Sequence, residues 1–522
     1  MSITTTYPGV YIQELPSSVH TISAAPTSVA AFVGFTHPFL TRQPGVPIQL
    51  FSFADYQEHF GGFFSSPWQP DYVGQAVYQF FQNGGSSAYV VGLVGTDYFD
   101  TSSPPVSQGA ITPAAVTVSA GQDIVFTARQ PVGVPASGST PAAGIAMQVT
   151  ISNVQEKTNP HDMADIVVSY GTTVETYRRV LVGDVLTALA GSTLVSVTTP
   201  GGVPTAFPTT GSPFSLVYAA VPALTWTVID AASFGAVFET NAPLDKVTIF
   251  NLLVLPAITD PSVIAQAVAY AERKRAFLIL DPPAGWVVDT LTSTSPLVLD
   301  PAPPISPNAA LYYPWLVTAD PVTGAASSSP PSGYVAGIFA NEDATRGVWK
   351  SPAGIETSIL GPTGVVATGV MTDAQQGVLN SGGVNCLRDF PGAGTVVFGA
   401  RTVASTDLAF AQWKYVAVRR MALFLEQTLY ANLTWAVFEP NAQPLWTAMT
   451  QEVSAFMLSL FRQGAFAGTT PRTAFAVQCD SNTTTPSDVA NGVVNLLVAF
   501  APLEPAEFVV IQIAQLAGQA SS

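Results

Sequence analysis

The sequence predicts a mixed α/β core interrupted by a β-rich insertion, and three observations carry that expectation. Residues 29–35 (VAAFVGF) and 88–94 (AYVVGLV) are apolar runs of buried-strand length on either side of a helical pattern over 70–83. Further along, residues 247–255 (VTIFNLLVL) and 276–280 flank a second amphipathic helix, giving a β-α-β unit. Between the two, residues 101–242 change texture. Short β-type runs such as VTVSA, DIVFTA, MQVTIS and DIVVSY alternate there with Gly, Pro, Ser and Thr turns.

The elements follow in chain order. Residues 7–15 read as an extended arm: Pro8-Gly9 is a turn signal, and Val10 and Ile12 alternate with Tyr11 and Gln13 at the period of a strand. A lone strand cannot satisfy its own backbone, so it must join a sheet at home or in a neighbour. The helix over 70–83 carries Tyr72, Ala76, Phe80 and Phe81 on one side and stops at Asn83-Gly84-Gly85. In the β-α-β unit, Asp260 caps a helix with Pro261 in its first turn, and Val263, Ile264, Ala267, Val268 and Ala271 keep helical spacing. Residues 281–332 read mostly as loop with one strand near 315–318, and 333–339 begin a helix. A long helix is expected over 408–429, with Arg419 and Arg420 opposite a wide apolar arc. Past Pro440 a second helix carries Trp446, Met449, Val453, Phe456, Met457 and Leu460. Residues 473–478 form a strand, 493–500 alternate imperfectly, and 508–513 (FVVIQI) form a strong terminal strand.

Composition narrows the function. A chain of 522 residues implies about three domains, and 48% apolar content is ample for real cores. Charged residues make up 10%, against the usual roughly 25%, so apolar surface is expected to be buried in an oligomer. A spanning helix is not expected: the run 21–40 is broken by Pro26 and Pro38, and the C-terminal apolar run by Glu504 and Glu507. The first residues show no basic segment of a secretory signal. A net charge of −16 argues against nucleic acid or an anionic membrane as partner. The scarce positive charge gathers at residues 273–275 and between Arg401 and Arg420, which fits either an acidic protein surface or ion pairs within the chain.

Catalytic signatures are not found. There is no GxxxxGK[ST] loop, HExxH, GxSxG or CxxC, and His20, His37, His59 and His161 are scattered. Gly392-Ala393-Gly394 reads as a turn, and Cys386 and Cys479 as two buried thiols of a cytosolic protein. No cofactor or metal is expected.

An ordered set of segments resembles the contractile tail sheath family of bacteriophages and related injection systems. They are YPGVYIQELP (7–16), TSVAAFVGFT (27–36), PPSGYVAGIFANEDATRGVWKSPAG (330–354) and VNCLRDFPGAGTVVFGART (384–402), then KYVAVRRMALFLEQTL (414–429), VFEPNAQPLW (437–446) and APLEPAEFVVIQI (501–513). The resemblance implies an α/β (α+β) sheath core built from both chain ends, an inserted β-rich outer domain, and extended N- and C-terminal arms. The expected divisions are 1–28 (arm), 29–100 (first part of the core), 101–242 (insertion), 243–380 (middle domain), 381–500 (inner domain) and 501–522 (terminal strand and tail). The implied function is structural, not enzymatic: a helical homopolymer around an inner tube that contracts to drive the tube through an envelope. Baseplate and terminator or cap proteins would be further partners, with no nucleic acid and no direct membrane insertion. Assembly would take place in the bacterial cytoplasm, as part of a phage tail or injection particle.

Val10, Tyr11, Ile12, Gln13, Phe508, Val509, Val510, Ile511 and Ile513 are the expected subunit-interface residues, as strands lent to neighbours. Residues 17–28 and 501–505 are the expected hinges. Lys414, Arg419 and Arg420 are the candidates for a tube-facing basic patch. Two other classes compete: an enzyme with an α/β core and a β-rich binding domain, and a secreted adhesin or surface-layer protein.

Overall fold

In a computed structural model, the described residues are 21–66, 70–94, 97–99, 107–110, 112–119, 122–133, 144–218, 231–294 and 297–508. The chain forms two compact units. One is Pro26–Arg420; the other combines Met421–Ser522 with Met1–Ala25.

An eight-stranded sheet centres the larger unit. Its strands are β1 (Ala30–Phe35), β2 (Pro47–Leu50), β3 (Ala88–Leu93), β4 (Leu252–Val254), β5 (Phe277–Leu280), β6 (Ala309–Tyr313), β7 (Val384–Phe390) and β8 (Gly394–Phe398), in the order β2-β3-β1-β4-β5-β6-β7-β8. All neighbours from β3 to β7 pair in parallel, while β2 and β8 close the two edges antiparallel. Parallel strands covered on both faces read as continuous apolar runs, and β1, β4, β5 and β6 are buried at every residue.

Several helices pack around this sheet, and three of them exceed ten residues. Helix α1 (Tyr72–Gln82) is capped by Asp71, which accepts from the Gly74 N–H at 2.9 Å. Its Phe80 ring meets Phe32 of β1 edge-on at 5.5 Å. Helix α2 (Pro261–Lys274) starts at the Asp260 cap and Pro261 as the sequence indicates. Helix α3 (Ser332–Thr345) crosses α1 closely, because Gly333 and Gly337 lie at the contact. A Cβ on Gly333 would come within 2.5 Å of Ala76 Cα, and one on Gly337 within 2.5 Å of Asn83 Cβ.

Between β3 and β4 the chain leaves this sheet. Residues 147–215 contribute a four-stranded antiparallel sheet, and strands at 115–119, 123–128 and 195–198 a three-stranded one. Both share a core that includes Phe126, Met147, Ile166, Val168 and Phe207. Polar ties hold this region to the α/β part. His37, just beyond β1, pairs through Nε2 with Gln130 at 2.9 Å, and the Tyr170 hydroxyl accepts from the Ser65 N–H at 3.3 Å and shares its one proton between the Ser65 and Pro131 carbonyls. Thr172 donates from its N–H and its hydroxyl to the Val322 carbonyl.

Helix α4 (Val416–Asn432) starts in the larger unit and continues as the first helix of the smaller one. Helix α5 (Gln443–Arg462) follows, and Phe424 meets Phe456 across the two at 6.2 Å. A second apolar cluster joins Leu445, Trp446, Met449 and Cys479. A two-stranded antiparallel sheet completes the unit, β9 (Phe475–Gln478) with β10 (Leu497–Phe500).

The mixed α/β expectation holds, with local differences. The helix expected from Leu408 begins at Val416. Residues Leu408–Trp413 form a 3-10 segment broken at Phe410 (φ −113°, ψ 21°), and Val416 donates back to the Ala400 carbonyl. The strand expected over 247–255 is confined to β4, and β6 together with a helix at Asp373–Ser381 lie where only loop was expected or nothing was assigned.

Candidate assembly surfaces

The geometry relevant to assembly lies at the two chain ends. Val10, Tyr11, Ile12 and Gln13 at one end, and Val509, Val510, Ile511 and Ile513 at the other, fall outside the described residues. Phe508 is described and largely exposed. Before it, the β9–β10 ladder runs Phe475↔Phe500 to Gln478↔Leu497 and is extended by Ala501 N–H donating to the Ala474 carbonyl at 2.8 Å. Among the described residues, neither β9 nor β10 has a second strand partner. Each therefore presents an outer row of backbone groups, the arrangement that accepts an added strand.

At the other end, residues 23–29 form no strand but are held one residue at a time by side chains. In the smaller unit, Asn432 treats Ser23 as a strand partner would. Its Oδ1 accepts from the Ser23 N–H at 2.9 Å, and its Nδ2 donates to the Ser23 carbonyl at 2.8 Å. The buried Thr428 hydroxyl accepts from the Ala25 N–H at 3.1 Å. In the larger unit, Asn251 brackets the next stretch, donating to the Pro26 carbonyl at 2.8 Å and accepting from the Val29 N–H at 2.9 Å. Arg420 donates to the Thr27 carbonyl at 3.0 Å.

The three basic candidates occupy different surroundings. Arg420 is 3% exposed and makes a two-pronged ion pair with Asp343, at 2.8 and 2.6 Å. This corrects the expectation that it presents charge outward. The start of helix α4 is buried around most of its circumference, at 416–418 and 420–425, so position 420 is interior. Arg419 donates through Nε to Asn308 at 2.8 Å and lies 4.9 Å over the Trp413 ring, and Lys414 lies 4.9 Å over Tyr415. Arg273 and Lys274, at the end of α2, are also paired within the chain: Arg273, though exposed, bonds to Asp245 and the Phe238 carbonyl, and Lys274 to the Asp245 and Val247 carbonyls. Intrachain pairing thus accounts for much of the clustered positive charge, and the signal that could have exposed it is the Asn341-Glu342-Asp343 run that supplies Arg420's partner.

Other titratable groups are structural in their surroundings. Burial lowers the His37 pKa to about 4, against which the Gln130 hydrogen bond works weakly. Burial likewise pushes the Cys386 thiol up to about 12. Among the described residues no cluster of three His, Cys, Asp or Glu side chains could hold a metal ion, and no helix is long and apolar enough to cross a membrane. A cleft of about 330 Å³ beside α1, lined by Gln75, Tyr78, Gln79, Thr318 and Tyr334 among others, carries no charged side chain.

Comparison with known families decides the relationship. The model of the phage tail sheath protein central domain matches residues 244–403, and that of the phage tail sheath C-terminal domain matches 410–515, together about half the chain. The chain belongs to the phage tail sheath family. A prophage major tail sheath protein of Pseudomonas aeruginosa (strain UCBPP-PA14) is 31% identical over 279 residues, 51% of this chain. The tail sheath protein of Burkholderia phage BcepMu is 27% identical over 224 residues, 42% of this chain. The aligned stretches span 66% and 46% of those two sheath proteins' own lengths.

Solved sheath structures share the fold across nearly the whole chain. The PVC sheath of an extracellular contractile injection system, in its contracted state, superposes with a TM-score of 0.59 at 22% identity, covering 98% of this chain and 99% of its own. The contracted helical sheath of the anti-feeding prophage gives 0.57 at 23% identity, covering 98% and 100%. The sheath tail protein of Desulfitobacterium hafniense gives 0.54 at 14% identity, covering 95% and 100%. These sheath relatives are structural proteins.

Proposed function

We propose that this chain is the structural subunit of a contractile sheath. It polymerises helically around an inner tube and, on a signal from a baseplate, moves into a more densely contacted state that shortens the sheath and drives the tube through an envelope. The observation that carries this reading is the β9–β10 sheet, whose strands have no second partner among the described residues, in a family member with a strand-like sequence at each end. Exchanged strands complete that sheet: an N-terminal segment containing Val10–Gln13 and a C-terminal segment from Phe508 to Ile513 pair with neighbours. Main-chain bonds supply the linkage, and alternate apolar side chains set its register.

Several features support the same reading. A 10% share of charged residues leaves apolar surface for burial between subunits. The energy for movement comes from the difference in association between two polymer states, so no nucleotide is needed. Lys414 and Arg419 serve as the tube-side cations, in contacts modest enough to break, since exposed charges are screened beyond about 8 Å at physiological salt. The 101–242 insertion lies on the sheath exterior, and terminator proteins close the polymer's end.

Negative-stain microscopy of the purified chain together with its tube protein tests the proposal. Long striated tubes are expected. Discrete particles would favour an enzyme and planar lattices a surface layer.

A further inference from the structure

We infer that residues 23–29 are a two-stage root for the N-terminal arm, in which Asn432 and Thr428 hold a releasable outer stage and Asn251 and Arg420 a permanent inner one. The inference rests on the reading of the chain as a strand-linked sheath subunit. Sequence alone assigns 17–28 to one flexible hinge, and the contacts divide that stretch instead.

The outer stage is held by neutral groups, and its first bonds lie close to solvent. Ser23 is exposed, and both of its backbone groups depend on one half-buried side chain, Asn432, which also donates to the Thr428 carbonyl at 2.8 Å. Ala25 adds one bond to the Thr428 hydroxyl. Water can replace the Ser23 bonds at little cost, because the groups freed there are not sealed from solvent, while the Ala25 bond to the buried Thr428 hydroxyl is the firmer of the outer stage.

Beyond the Ala25–Pro26 junction the character changes. Asn251 is buried and bridges Pro26 and Val29, whose carbonyl also receives the N–H groups of Asn251 and Leu252. Thr27 is held by the guanidinium that is itself locked to Asp343 and lies 4.7 Å over the Phe339 ring. A charge-assisted, enclosed contact resists water, and releasing Thr27 would leave part of a buried cation without its acceptor. Strand β1 follows immediately, and its backbone is committed to the sheet.

Tension applied from the N-terminal side loads Ser23 first. Its two bonds peel, then that of Ala25, and the process stops at Pro26, whose carbonyl Asn251 holds. Moving the anchor by three residues lengthens the free arm by about 10 Å, at roughly 3.3 Å per extended residue. A sheath whose subunits separate or turn during contraction gains that reach without breaking its exchanged strands. Asn432 and Thr428 are thus positioning residues for the arm.

Amide hydrogen exchange on full-chain sheaths assembled on their tube, before and after contraction, tests the release. Ser23 and Ala25 amides are expected to exchange at least tenfold faster in one state than in the other, with Val29 equally protected in both. Equal protection at all three in the two states would overturn it. The clamp itself is tested on the unassembled chain. Asn432→Ala should speed exchange at Ser23 at least tenfold while leaving Val29 unchanged, and an unchanged Ser23 would refute the outer stage. If the wild-type chain forms no sheath at all, the functional reading fails, while this second measurement still decides the clamp.

Discussion

Arg420 and Asp343 face each other inside the larger unit, Nη1 to Oδ1 at 2.8 Å and Nη2 to Oδ2 at 2.6 Å, with side chains only 3% and 2% exposed. The pair joins α3 to the start of α4, so the two segments that carry much of the family resemblance meet there. Removing one partner strands a buried charge. Asp343→Ala should cost about 3–5 kcal/mol in urea unfolding, and the apolar double variant Arg420→Met with Asp343→Leu should cost less than either single change. Arg420→Glu would place two carboxylates together and prevent folding. Its phenotype would therefore report stability rather than attachment to a tube.

The α1–α3 crossing makes a separate claim about size. Gly333 and Gly337 bring the helices so close that a Cβ at either position would lie 2.5 Å from the opposite helix. Gly333→Val should destabilise by about 1–3 kcal/mol, the range for overpacking a filled core. Thermal unfolding of the variant measures this directly. An unaffected midpoint would mean that the helices can separate freely.

Two buried groups give opposite pH slopes. Burial raises the Asp71 pKa to about 8, although the Gly74 N–H bond works against it. The folded state therefore holds that proton more tightly than the unfolded one, and this contribution to stability is lost as pH rises from about 4 to about 8. His37, lowered to about 4, acts in reverse: its contribution is lost as pH falls from about 6.5 to about 4. Asp71→Asn keeps an oxygen for the Gly74 cap and removes the first effect. Between pH 5 and 8, the wild type should lose about 1.4 kcal/mol per pH unit relative to Asp71→Asn in denaturant titrations. Parallel stability curves for the two proteins would contradict that.

Phe438 is fully exposed and sits in the left-handed region at φ 71°, where a side chain meets its own backbone. Phe438→Gly should stabilise the unassembled chain by about 1 kcal/mol. Chemical denaturation of the unassembled protein checks the sign.

Local chemistry made much of the fold legible. Helix α2 follows from Asp260, Pro261 and a regular apolar spacing, and β1, β3 and β5 from uninterrupted apolar runs. Strand β6 was hidden because AALYY lies among prolines and serines, and its partners β5 and β7 are distant in sequence. The segment 408–413 was misjudged because its spacing is helical while Phe410 breaks the geometry. At the assembly surfaces, Val10–Gln13 alternate and 508–513 are dense in β-branched residues, but apart from Phe508 both stretches lie outside the described residues. The roles of Asn251, Asn432 and Arg420 were not legible, since a lone amide or guanidinium leaves no periodic trace and its partner lies hundreds of residues away.

Removal of residues 1–16, followed by microscopy and a folding assay on the same preparation, tests strand exchange most directly. The account predicts a folded, cooperatively unfolding chain that no longer builds long sheaths on its tube. Sheaths of normal length from that truncation would contradict it.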